Sequence, residues 1–128
     1  MNTDGDGLGV LGHAECLALL RAAPDGRTGR IVFTDHALPA VEPVAFAVDG
    51  DGVIVRTVPG SRLERALLGA VVAFQVDEYD AASDDGWTVT LVGLGGAVPG
   101  RPGVRVPGEH VTGRRFAPVA GRPREEAS

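Results

Sequence analysis

The sequence predicts a mainly β, α+β domain: a small antiparallel barrel of six strands with two short helices. Short apolar runs recur at hairpin spacing between turns rich in Gly, Pro and Asp, and only two stretches carry a helical period. The strand–helix–strand alternation that builds a parallel nucleotide-binding sheet is missing. A chain of 128 residues suits one domain with one core.

Residues 1–12 are Gly- and Asp-rich and are expected to be disordered. They contain the G-x-G-x-x-G run Gly7 to Gly12, but too few residues precede it for the strand a dinucleotide fingerprint needs. Residues 13–117 form the predicted domain. His13 to Ala23 has a helical apolar period and is followed by Pro24. Gly29 to Thr34 and Val41 to Val48 read as strands around an Asp35 to Leu38 turn. Pro43 inside the second of these calls for an exposed edge or a bulge, since proline has no N–H to give a ladder. Asp49-Gly50-Asp51-Gly52 turns the chain into a strand from Val53 to Thr57. Ser61 to Leu68 is a short amphipathic helix closed by Gly69, and Ala70 to Val76 a buried strand. Asp77 to Gly86 is expected as a solvated acidic loop, Trp87 to Leu94 as an alternating strand, Gly100 to Gly108 as a poorly packing segment, and His110 to Pro118 as the last strand. Residues 118–128 read as a disordered polar tail.

Composition excludes several functions. All twelve basic residues are Arg, so Schiff-base lysine chemistry and the Walker lysine are ruled out. A formal net charge of −5 and 5% aromatic residues argue against a nucleic-acid surface. No apolar run is long enough for a membrane helix or has the form of a secretory signal, which leads us to expect a cytoplasmic protein. Cys16 is alone and reads as helix packing. His13, His36 and His110 have no metal-ligand spacing, and no nucleophile or zinc-hydrolase motif occurs. Any demanding chemistry is therefore expected from a bound cofactor.

The stretch with most chemistry is Arg56-Thr57-Val58-Pro59-Gly60-Ser61-Arg62. Two guanidiniums and two hydroxyls flank a Pro-Gly turn at a strand-to-helix junction, which suits an anion such as phosphate. A second reading stands beside it: Ser61-Arg62-Leu63-Glu64 is a capping box, in which Ser61 serves only its own helix.

Leu38 to Asp51, followed by Arg56 to Leu63, Val71-Val72-Ala73-Phe74-Gln75-Val76-Asp77 and Gly86-Trp87-Thr88-Val89, together resemble the pyridoxamine 5'-phosphate oxidase-like FMN-binding split barrels. The actinobacterial branch related to nitroimidazole reductases is the most similar. The resemblance covers roughly residues 13–116. It implies a split barrel working as a homodimer with flavin in clefts between subunits, FMN foremost, with a deazaflavin or no cofactor as alternatives. By position it implies that Arg56, Thr57, Ser61 and Arg62 hold the phosphate, that Pro43, Val44, Ala45 and Phe46 pass beside the ring with their backbone groups, and that Trp87 lies near the cleft or in the core. A small-molecule substrate and a nicotinamide or deazaflavin electron donor follow from the same likeness. The functions it leaves open are a flavin-dependent oxidoreductase, a flavin carrier without turnover, and a cofactor-free dimer. This chain departs from the pattern in two places. Many relatives have Asn at the position of Ala45, and many have a longer, Trp-containing connection where this chain has Ala97 to Gly103, so the likeness does not extend to the cleft rim.

Overall fold

The computed structural model describes residues 2–3, 9–24 and 26–116. Its described residues form one antiparallel sheet and two helices. In chain order the elements are β1 (Asn2–Thr3), β2 (Gly9–Val10), α1 (His13–Arg21), β3 (Arg27–Asp35), β4 (Leu38–Asp49) and β5 (Gly52–Val55), followed by α2 (Arg62–Leu67), β6 (Val71–Asp80), β7 (Asp85–Leu94), β8 (Gly96–Ala97), β9 (Val104–Val106) and β10 (His110–Phe116). The sheet order is β1-β2-β10-β7-β6-β3-β4-β5-β9-β8. It curls into a split barrel, so that β9, several places from β6 and β7 in the ladder, comes back into contact with both.

The sheet has ten strands where six were expected. The six expected strands are all present, and the four additional ones are only two or three residues long, too short to show a period in sequence. Two of these lie in residues 1–12, expected to be disordered: β2 pairs with β1 and β10, and Leu11 is buried. Residues 1 and 4–8, and the tail from 117 onward, lie outside the described residues. The acidic stretch from Asp77 is also mostly strand. β6 and β7 continue their ladder to the pair Asp80 and Asp85, because Arg27 meets Glu78 at 3.2 Å and Arg30 meets Asp77 at 2.7 Å. Likewise the segment expected to pack poorly contributes β9, whose Val104 and Val106 are fully buried.

Alternation decides which side chains make the core. Ile31 and Phe33 of β3, Val44 and Phe46 of β4, and Phe74 and Val76 of β6 point inward. Phe46 and Phe74 meet edge to face, with centroids 4.7 Å apart, and each such fully buried side chain contributes about 1.5–3 kcal/mol. Helix α1 closes one end of the barrel through Cys16, Leu17 and Leu20. It can sit that close because Gly113 has no side chain: a Cβ there would lie 2.6 Å from the Cys16 sulfur. Burial pushes the Cys16 thiol pKa up, with the neighbouring Glu15 charge adding to the effect, as fits a packing residue.

The outward face is unusually apolar in one row. Val92 of β7 pairs with Ala73 of β6, Ala73 with Val32 of β3, and Val32 with Val41 of β4. One step along, Val71 pairs with Leu94, and these two are 68% and 57% exposed.

Candidate functional site

The Arg56 to Arg62 corner follows β5 directly. Its Pro59-Gly60 turn, with Gly60 at φ 74°, swings the chain into α2. Ser61 caps that helix by accepting from the Glu64 amide at 3.1 Å, as the capping reading required. Glu64 does not complete the box at Ser61. Its carboxylate accepts instead from the Gly60 amide at 2.8 Å and from the Thr57 hydroxyl at 2.9 Å. The Gly60 amide, and then Thr57, hold the Glu64 carboxyl below the usual carboxylate range. The corner thus already contains an anion, and it belongs to the protein.

Arg62 turns away from Arg56. Its guanidinium donates to Asp35 at 2.6 Å, which holds the Asp35 carboxyl low, and His36 meets the same carboxylate at 2.8 Å. Ser61 and Arg62 line a cleft of 280 Å³ together with Phe33, Asp35, Glu42 and Leu63. With two carboxylates against one guanidinium, that cleft is a poor anion site.

Arg56 and Thr57 line a different cleft, of 370 Å³, on the outer face of the sheet, together with Ala47, Ile54, Arg101 and Pro102. Among the described residues, no carboxylate lines it. Beside it runs the open edge of β4. β5 pairs only with Phe46 to Asp49, so the backbone of β4 before residue 45 faces no strand on that side among the described residues. Pro43 stands in this stretch, where its missing N–H costs no ladder bond, as its place in the sequence required. The Arg56 amide donates to the Ala45 carbonyl at 2.9 Å, which brings two of the sequence-predicted segments together. Val44 and Phe46 send their side chains into the core, so only their backbone is available to a ligand.

Trp87 is not part of this assembly. It is 8% exposed, stands four places from β5 in the sheet order, and has the Arg27 guanidinium 5.7 Å from its ring centroid. It backs a third, wider depression of 450 Å³ whose rim carries Glu78, Asp80 and Asp85, which would repel a phosphate.

The structure therefore brings Arg56 and Thr57 to one cleft and joins Arg56 to the Ala45 carbonyl, while Ser61, tied to Thr57 through Glu64, lines the neighbouring cleft with Arg62, and Trp87 lies on a distant strand. Two residues with a part in this site escaped the sequence reading. The sequence marks Glu64 only as a cap partner. Arg101 lies in a Pro/Gly-rich connection, and its one signal was a charged residue held between turn formers, Gly100-Arg101-Pro102-Gly103. Among the described residues, no group of three His, Cys, Asp or Glu side chains is placed to hold a metal ion. Nor is any helix among them long and apolar enough to cross a membrane.

Fold and site together define a class: an antiparallel split barrel with a cationic cleft on the outer face of its sheet. The chain belongs to the pyridoxamine 5'-phosphate oxidase family, whose sequence profile matches residues 12–102. It is similar to the solved FAD-binding protein from Mycobacterium smegmatis, at 32% identity and a TM-score of 0.75, over 85% of this chain and 98% of that one. A FAD-binding protein from Mesorhizobium loti shares the fold at a TM-score of 0.69 and 21% identity, again over 85% and 98% of the two chains. An uncharacterised protein of Mycobacterium tuberculosis is 39% identical over 71 residues, which are 52% of this chain and 47% of that protein. The match thus spans about half the length of this curated relative.

Proposed function

We propose that the protein is a flavin-binding homodimer that acts as an oxidoreductase on a small molecule. The observation that carries this reading is the cleft beside β5, where a guanidinium with no partner among the described residues (Arg56) and a hydroxyl (Thr57) stand over an apolar floor of Ala47 and Ile54, next to an open backbone edge. That donor set fits a flavin: a cation and a hydroxyl for phosphate, small side chains for a flat ring, and free backbone groups for its polar edge. The FAD-binding relative from Mycobacterium smegmatis supports the same cofactor class. FMN is the form we propose first, with FAD and a deazaflavin as competitors in the same measurement.

A bound flavin supplies hydride and electron transfer. The protein's part is to bind and orient. Arg56 would pair with the phosphate, and Thr57 can turn its hydroxyl from Glu64 toward the same group. The residues lining the cleft include no His, Asp or Glu. His36 projects into solvent from a turn and His110 is exposed on β10, so neither is placed to move a proton there. Replacing either by Ala should leave turnover within a few fold; loss of flavin reoxidation with binding intact would overturn that assignment.

The dimer rests on the outward row from Val92 to Val41 and the exposed pair Val71 and Leu94. Contiguous apolar surface of this kind on a strand face favours a partner, and a second copy covers it with one two-fold contact. Only the monomer mass in light scattering at micromolar concentration would exclude it. The deciding experiment on function is a visible absorbance titration with FMN, FAD and a deazaflavin, followed by a nicotinamide or reduced deazaflavin donor and an acceptor. Binding with turnover is the expected result. Binding without turnover makes the protein a carrier, and no binding removes the flavin reading.

A further inference from the structure

We infer that Arg101 is the second cation of the cleft site, and that Arg56 and Arg101 together take a dianionic phosphate ester. The inference deepens the flavin reading, on which it rests for the remainder of the ligand. Ten arginines fall among the described residues. Eight of them have partners: Arg21 on the Gly50 carbonyl, Arg65 on the Gly60 carbonyl, and Arg27, Arg30, Arg62, Arg105 and Arg115 on carboxylates, with Arg114 also engaged. The side chains of Arg56 and Arg101 make no hydrogen bond or ion pair among the described residues, and both line the same cleft. In a chain with 17 acidic residues and a net charge of −5, two unpaired guanidiniums at one cleft without a carboxylate mark a place kept for an external anion.

The backbone holds Arg101 there. β8 and β9 form a hairpin on the edge of β5, with Val104 opposite Val55, which sets the 98–103 loop alongside Arg56. Ile54 points to the outer face and is only 5% exposed. Gly103 lies against it, at φ 131° and so close that a Cβ would meet the Ile54 Cγ2 at 2.8 Å and the Val55 carbonyl oxygen at 3.0 Å. A side chain at 103 would lift the loop and carry Arg101 off the cleft. Arg105, next along the hairpin, does not join the pair, because it is bound to Asp49 and Asp51.

The test is a fluorescence titration of the full chain and of Arg101→Ala with FMN, FAD and riboflavin, with inorganic pyrophosphate alone in a thermal-shift arm. Charge-assisted bonds to phosphate lead us to expect that Arg101→Ala weakens FMN or FAD about tenfold or more, with riboflavin changed less than about twofold. Which of the two phosphate esters loses more tells a monoester from a diphosphate ligand. Pyrophosphate should raise the melting temperature of the parent and not of the variant. Arg101 is exposed and unpartnered, so its truncation leaves the fold in place, and Gly103→Ala is a second, independent way to displace it. If Arg101→Ala and Gly103→Ala both bind the phosphate-bearing flavins as tightly as the parent, the assignment is overturned. If no flavin binds the parent but pyrophosphate still stabilises it through Arg101, the flavin reading fails and the anion site stands. If pyrophosphate stabilises neither protein and no flavin binds, both fail.

Discussion

Two clefts lie on either side of the turn at Pro59-Gly60, and each contains an arginine from the same seven-residue stretch. In one, Arg62 meets Asp35 at 2.6 Å, and Glu42 also lines the cleft. In the other, Arg56 has Arg101 for company and no carboxylate. The two residues are alike in type, exposure and sequence context, yet only one offers an unbalanced charge. What a guanidinium can bind is thus set by the acids that the fold delivers to it, and those acids come from distant segments: Asp35 is 27 residues from Arg62.

The largest effect expected from this difference is on flavin affinity. Arg56→Ala should weaken binding of a phosphate-bearing flavin by about tenfold to a hundredfold, the range for losing a charge-assisted bond. Arg62→Ala should cost less than about threefold, since its charge is already balanced. A titration in which Arg62→Ala proves the more damaging would invert the comparison. Next in size is the release of Arg62. Asp35→Asn removes its partner and should make the Arg62 cleft bind pyrophosphate several-fold better at low salt, an increase that must vanish at high salt if it is electrostatic. No change at low salt would mean that Glu42 alone keeps the cleft closed to anions.

A smaller effect concerns the anion the corner supplies for itself. Donors from Gly60 and Thr57 lower the Glu64 pKa below its ordinary 4.5 in the fold. Stability from this source is therefore complete above that value and is lost as pH falls through the depressed one. Melting temperature followed from neutral pH down to about 3 should fall less steeply in Glu64→Gln than in the parent; parallel curves would show that the contact adds nothing. The smallest expected effect lies in the turn that presents Asp35. His36 and Ala37 have φ of 52° and 67°, the mirror-image turn that favours Asn-Gly. Ala37→Gly should stabilise the protein by roughly 0.5–1 kcal/mol in urea unfolding, and a loss of stability would show that the turn is not strained.

Much of this was legible in the sequence, for physical reasons. Strand alternation, helix periods and turn chemistry act over a few residues, so Gly29 to Thr34, Trp87 to Leu94 and the Ser61 cap could be read directly, as could the need for an open edge at Pro43. The quoted runs from Leu38 to Leu63 carried enough of the pattern to point to the right family. The short strands β1, β2, β8 and β9 were invisible, because two or three residues hold no period and are strands only through the neighbours that pair with them.

The sequence alone determined that an arginine-rich turn would follow the strand ending at Thr57, and that any charged ligand of this acidic chain must find a local cation. It could not determine which arginines remain available. Charge pairing acts through space over a few ångströms, and the fold joins Arg62 to Asp35, Arg105 to Asp49 and Arg30 to Asp77 across 27, 56 and 47 residues of chain. Only once those pairs are made do Arg56 and Arg101, 45 positions apart in the sequence, emerge as the two guanidiniums among the described residues left facing one cleft.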